Sequence, residues 1–155
     1  MKYGAMNFPI KPLLREIEEI GEMGFDYVEL TMDPPEATPQ RIQPQKRSIK
    51  EILDRYRMGI MGHLPTFVWT ADLYESLRKA SLQEQFDALE TAVELGVEKM
   101  VLHPGMITGL GKVLPDKVKR LALESIETMT LEVFSRDRDY LKISMEKIKR
   151  MWESL

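Results

Sequence analysis

A parallel α/β fold of about five strands with flanking helices is predicted from three observations. Short apolar runs alternate with longer segments of helical period, as in repeated strand-then-helix units. Glycines stand at the passages from helix back to strand, at Gly24, Gly59 and Gly96. Two of the apolar runs, Gly59 to His63 and Lys99 to His103, each deliver a histidine to their C-terminal end, just ahead of a proline-containing loop. Such alternation argues for parallel strands joined by right-handed crossovers.

The elements follow in order. Tyr3 to Met6 is the first strand, and Pro9 and Pro12 bound the turn after it. A helix from about Pro12 to Met23 carries Leu13, Leu14, Ile17 and Ile20 on one stripe, with Gly24 placed as its left-handed cap. Phe25 to Leu30 is the second strand. Asp33 to Lys46 holds Pro34, Pro35, Pro39 and Pro44 without apolar periodicity and reads as a loop. Ser48 and Glu51 have capping-box spacing and open a helix bearing Ile49, Ile52, Leu53 and Tyr56.

The third strand is Gly59 to His63. A long connection, Thr66 to Ala80, contains a short helix from Asp72, and Ser81 with Glu84 opens the next major helix, which ends at Gly96. Lys99 to His103 is the fourth strand, and the loop from Pro104 to Leu114 contains Gly105, Gly109 and Gly111. Pro115 starts a helix that uses Val118, Leu121, Ala122 and Ile126. Thr130 to Phe134 is expected as a fifth strand, and a last helix spans about Asp137 to Trp152. The passage near Met129 to Leu131 stands apart, because it lacks the glycine that marks every earlier helix-to-strand passage.

Composition narrows the function classes. Residues 1–155 are expected to form a single domain, with 43% hydrophobic and 30% charged residues marking an ordinary globular chain. A net charge of -3 advertises no broad cationic surface for nucleic acid. The absence of cysteine excludes disulfides, thiolate metal sites and cysteine nucleophiles, and fits a cytoplasmic protein. No apolar run is long enough to span a membrane, and the N-terminal residues carry no signal-peptide pattern.

The chain's 2 histidines, His63 and His103, end adjacent predicted strands. Glu29 lies in Val-Glu-Leu near the end of the second strand, and Glu132 in Leu-Glu-Val of the expected fifth. A carboxylate within an apolar strand is costly unless paired or bound to metal. Imidazole and carboxylate together suit Zn²⁺, Mn²⁺, Co²⁺ or Fe²⁺. The structural alternatives are a hydrogen-bonded histidine at each strand end, a surface ion pair for Glu29, and an outward turn for Glu132. The glycines of the 104–114 loop miss the phosphate-loop spacings, so they carry no cofactor assignment. Arg136 to Asp139 reads as a solvated turn.

These segments together resemble the xylose isomerase-like superfamily of TIM barrels, which includes sugar-phosphate isomerases and epimerases and the endonuclease IV family. The matching segments are Lys2 to Met6, Gly24 to Leu30, Gly62 to Pro65, Val101 to Gly105 and Thr130 to Phe134. The resemblance implies a truncated TIM-barrel-like (β/α) fold. It also implies a divalent metal (Zn, Mn, Co or Mg) held by His63, His103 and Glu132, with Glu29 and Glu132 as the catalytic carboxylates. An eight-stranded barrel needs more units than this chain supplies. By the resemblance, the fourth unit runs directly into the last, as an internal deletion would produce. The sheet order would be 5-1-2-3-4, and its exposed edges would favour a homo-oligomer.

Three functions follow from the resemblance. The first is a divalent-metal-dependent isomerase or epimerase acting on a small sugar or sugar phosphate. The second is a non-catalytic reduced barrel serving binding or assembly. The third is an endonuclease IV-like phosphodiester hydrolase, ranked lower because it needs more metal ligands and a surface suited to DNA. Neither a membrane nor nucleic acid is an expected partner.

Overall fold

The computed structural model describes residues 1–103 and 109–133, with side chains through 124. Its centre is set by the strict alternation of β2 (Tyr27–Thr31), which buries Val28 and Leu30 on one face and presents Tyr27, Glu29 and Thr31 on the other. β1 (Gly4–Met6) and β3 (Gly59–His63) flank it, and β4 (Met100–Val101) follows β3. All pairings are parallel and the order is β1-β2-β3-β4. The register aligns Glu29 with Met6 and Met61, and His63 with Thr31 and Val101. The chemistry-bearing residues of β2 and β3 therefore share the face opposite the helices.

Helices cover the other face. α1 (Leu13–Glu22), α3 (Lys46–Tyr56) and α4 (Glu75–Leu95) direct Leu13, Ile17, Ile20, Ile49, Ile52, Ala88 and Ala92 onto Val28 and Leu30. Burying a side chain such as Leu30 contributes about 1.5–3 kcal/mol. Gly24 and Gly96 both adopt φ of +81°, confirming the glycine stops after α1 and α4. α3 instead ends on Arg57 at φ 55°, a left-handed cap that the sequence pattern does not announce. Gly4 is required for a different reason. The Tyr27 ring lies across it, and a Cβ there would stand 2.1 Å from Tyr27 Cε2.

Four expectations need correction. The 33–46 stretch is not all loop: it holds α2 (Pro39–Ile42) and a 3-10 turn at Gln43–Gln45, after a cis bond between Pro34 and Pro35. Pro39 fixes the first helical φ, and Ile42 is fully buried, but one turn is too short to show a period. Ser48 lies inside α3, so it is no cap. The two helices expected between Asp72 and Gly96 are one, α4, with Ser81 inside it accepting from the Trp69 amide at 3.2 Å.

The largest difference is at the C-terminal side. α5 (Pro115–Val133) runs through Thr130 to Val133, which were expected as the fifth strand. Among the described residues the sheet has four strands, and the order 5-1-2-3-4 is not formed. The missing glycine near Met129 has a simple cause: no helix ends there. β-branched residues cost a helix only a few tenths of a kcal/mol each, so Thr130 and Val133 do not stop it. Phe134 and the expected helix from Asp137 lie outside the described residues.

Candidate functional site

The site stands at the C-terminal ends of β2, β3 and β4. Thr31 ends β2, and its amide donates to Asn7 Oδ1 at 2.8 Å, tying the end of β2 to the residue after β1. Two residues on, Asp33 turns back into the molecule, only 3% exposed. It accepts from Thr31 Oγ1 at 2.7 Å, from the Thr66 amide at 2.8 Å and from Thr66 Oγ1 at 2.9 Å. Three donors offset much of the desolvation that a buried carboxylate suffers.

His63, the last residue of β3, is buried, with 7% exposure. Its Nδ1 lies 3.0 Å from the Leu64 carbonyl, which can only accept, so Nδ1 carries the proton. In the neutral ring Nε2 then holds a lone pair. That atom faces His103 Nε2 at 3.1 Å, the rings tilted by 46° with centroids 4.9 Å apart. Without a cation, His103 must donate to His63 across this gap. Glu29 Oε1 is 4.0 Å from His63 Nε2.

The two histidines, expected at the ends of adjacent strands, lie side by side. His103 lies beyond the end of β4 and is exposed. The structure places Glu132 in α5, not on a strand, and its side chain lies outside the described residues. Sequence reasoning passed over Asp33, which reads as one more polar residue in a proline-rich loop. Its only signal is an acidic residue directly after a buried strand.

The donor set fits a divalent ion in part. Two imidazole nitrogens bound at about 2.0–2.1 Å to one ion stand roughly 3.0–3.4 Å apart, matching the separation of the two Nε2 atoms. Among the described residues, however, no group of three His, Asp or Glu side chains is close enough to hold an ion alone. A groove of about 700 Å³ lined by Lys2, Tyr27, Lys50, Gly59 and Lys99 opens at the opposite ends of the strands and touches none of the three site residues. No helix among the described residues is long and apolar enough to cross a membrane.

Near the β1 end of the same rim, Glu16 holds the loop after β1. It accepts from the Phe8 amide at 2.9 Å and pairs with Lys11 at 2.8 Å. Burial pushes the Glu16 carboxyl up, but the Lys11 and Phe8 contacts outweigh it and leave it below the ordinary value. Lys11 is raised in return, chiefly through its hydrogen bond to Glu16.

Residues 17–150 match the family described as the xylose isomerase-like TIM barrel. An uncharacterized protein of Methanocaldococcus jannaschii is 30% identical over 152 residues, covering 96% of this chain and 50% of its own length. Among solved structures, a D-tagatose 3-epimerase-like protein superposes with a TM-score of 0.73 at 27% identity, over 87% of this chain and 49% of its own. The 3-keto-D-glucoside 4-epimerase of E. coli gives a TM-score of 0.61 at 20% identity, over 88% of this chain and 52% of its own. The D-psicose 3-epimerase of Clostridium cellulolyticum H10 gives 0.65 at 14%, over 87% and 49%. The last two likenesses speak for the fold alone. This chain spans about half the length of these relatives.

Proposed function

The chain belongs to the xylose isomerase-like TIM barrel family, and from that premise we propose a divalent-metal-dependent isomerase or epimerase acting on a small sugar or sugar phosphate. The observation that carries the reading is the convergence of His63, His103 and Glu29 at the C-terminal ends of parallel strands, where barrels of this class place their chemistry. The D-tagatose 3-epimerase-like neighbour, at 27% identity, supports the same substrate class.

In this reading His63 and His103 hold the ion with Glu132, the carboxylate assigned by family resemblance, and Glu29, 4.0 Å from His63 Nε2, is the carboxylate left beside it. A divalent ion there supplies Lewis-acid polarisation of a substrate carbonyl. The Leu64 carbonyl keeps His63 Nδ1 protonated and so keeps Nε2 free to ligate. The carboxylate left off the ion takes a proton from the carbon beside the carbonyl. A proton delivered to the opposite face by a second acid, a role open to water or to the other carboxylate, gives the epimer; return of the first proton to the former carbonyl carbon, with the neighbouring hydroxyl's proton passing to the carbonyl oxygen, gives the isomer. We extend the proposal to self-association through the β1 and β4 edges, which have no strand beside them among the described residues.

The test is zinc or manganese titration of wild type and of His103→Ala, followed by deuterium uptake into candidate ketoses and their phosphates in D₂O. Stoichiometric metal lost in the variant, with solvent deuterium entering the substrate carbon, supports the proposal. Glu29→Gln and Glu132→Gln then tell ligand from base. A wild-type chain that binds no metal and exchanges no substrate hydrogen overturns it. That outcome supports a non-catalytic binding module, the reading favoured by the incomplete donor set. Native mass in dilute solution checks self-association.

A further inference from the structure

The residues from His63 to Thr66 are each tied to a different part of the molecule. The His63 carbonyl accepts from the Met32 amide at 3.0 Å. The Leu64 amide donates to the Val101 carbonyl at 2.9 Å. The Pro65 carbonyl accepts from Gln85 Nε2 at 3.0 Å, and Thr66 is held twice by Asp33. Between these tethers sits the Leu64 carbonyl, the acceptor that fixes the His63 ring.

Two of the tethers are side chains kept at a cost. Asp33 is buried, and among the described residues no cation pairs with it. Gln85 is fully buried in the middle of α4, and its Oε1 has no hydrogen-bond partner. An unsatisfied buried acceptor costs about 1–3 kcal/mol, and an aliphatic side chain there would avoid it. Both residues act on the same four-residue segment, from opposite sides.

We propose that Asp33 and Gln85 are positioning residues that hold the Leu64 carbonyl so that His63 keeps its proton on Nδ1 and turns Nε2 toward His103. Neither touches a substrate or an ion. Asp33 fixes Thr66 against the end of β2, Gln85 fixes Pro65 against α4, and the carbonyl one residue earlier cannot swing away. Loss of either anchor lets the ring rotate or change tautomer, and the 3.1 Å juxtaposition with His103 is lost. The inference rests on the proposed role of the histidine pair only for its zinc readout; the tautomer is an independent one.

The experiment records ¹⁵N ring spectra of the 2 histidines, zinc affinity and the urea midpoint for wild type, Asp33→Asn, Asp33→Ala and Gln85→Leu. The wild type is expected to show His63 in the Nδ1–H form. Asp33→Ala and Gln85→Leu should show mixed or exchange-broadened His63 signals and zinc affinity lower by about 10–100-fold. Asp33→Asn keeps an acceptor for the Thr66 amide and should recover part of both. If Asp33→Ala does not fold, Gln85→Leu carries the test, because the orphaned Oε1 it removes offsets the Pro65 carbonyl it leaves unpaired, and its urea midpoint is expected near that of wild type. Folded variants with wild-type His63 tautomer overturn the inference. A wild type that binds no zinc but shows the tautomer shift in the variants supports the inference and overturns the metal reading instead.

Discussion

His63 and His103 are the same residue type at the ends of neighbouring strands, yet they are held in opposite ways. His63 ends a five-residue strand paired on both sides, and its ring, carbonyl and following residues are all bonded. His103 lies past a two-residue strand paired, among the described residues, on one side only, and is exposed. The interior of the sheet thus sets one half of the pair rigidly, while the edge leaves the other adjustable.

The contrast can be broken or sharpened by substitution. Leu30→Ala, at the fully buried centre of β2, should cost about 2–5 kcal/mol in urea unfolding. Val101→Ala, half-buried at the edge, should cost less than about 1.5 kcal/mol. Equal costs would mean that the edge is packed as firmly as the centre. His63→Ala should cost about 1–3 kcal/mol, because it orphans the Leu64 carbonyl and empties a buried position. His103→Ala should stay within about 0.5 kcal/mol of wild type. In zinc titration the two variants should look alike if both histidines bind the ion as proposed; a residual site in His103→Ala alone would make His63 sufficient.

The smallest effect concerns the β1 end of the rim, where Glu16 pins Phe8 and Lys11. Its folded carboxyl lies below the ordinary value near 4.5, so its stabilising contribution is complete above that pH. The contribution fades as pH falls through the lower folded value. Thermal melts of wild type and Glu16→Gln should therefore differ most near neutrality and converge in acid. A gap that persists below the folded value would mean that the carboxylate's charge is not what holds this loop. Lys11, raised by the same pair, adds a second loss on the alkaline side, above its ordinary value.

The legibility of the sequence follows the same line from centre to edge. Gly24 and Gly96, the apolar stripe of α1 and the histidine-tipped runs announced the first four units because each signal is local and repeated. Glu132 was misplaced because Thr130 to Val133 reads equally as an alternating strand or as a further helical turn, and no glycine or proline breaks the tie. Ser48 and Ser81 had cap spacing but landed inside helices, where tertiary packing overrode a weak local preference. Asp33 was invisible for another reason. Its role comes from Thr66, which the fold brings beside it across 33 positions of sequence, and no period or motif records such a meeting.

The Tyr27 ring folded across Gly4 gives the molecule a direction. At the level of the sheet where Gly4, Tyr27 and Gly59 align, the aromatic ring covers the ground left bare by the glycine of the first strand. The opposite end of the same face carries small or polar groups and the two imidazoles. A solute approaching this face therefore meets a floor at one end and a rim of donors at the other. The smallest residue in the first strand is what lets that floor lie flat.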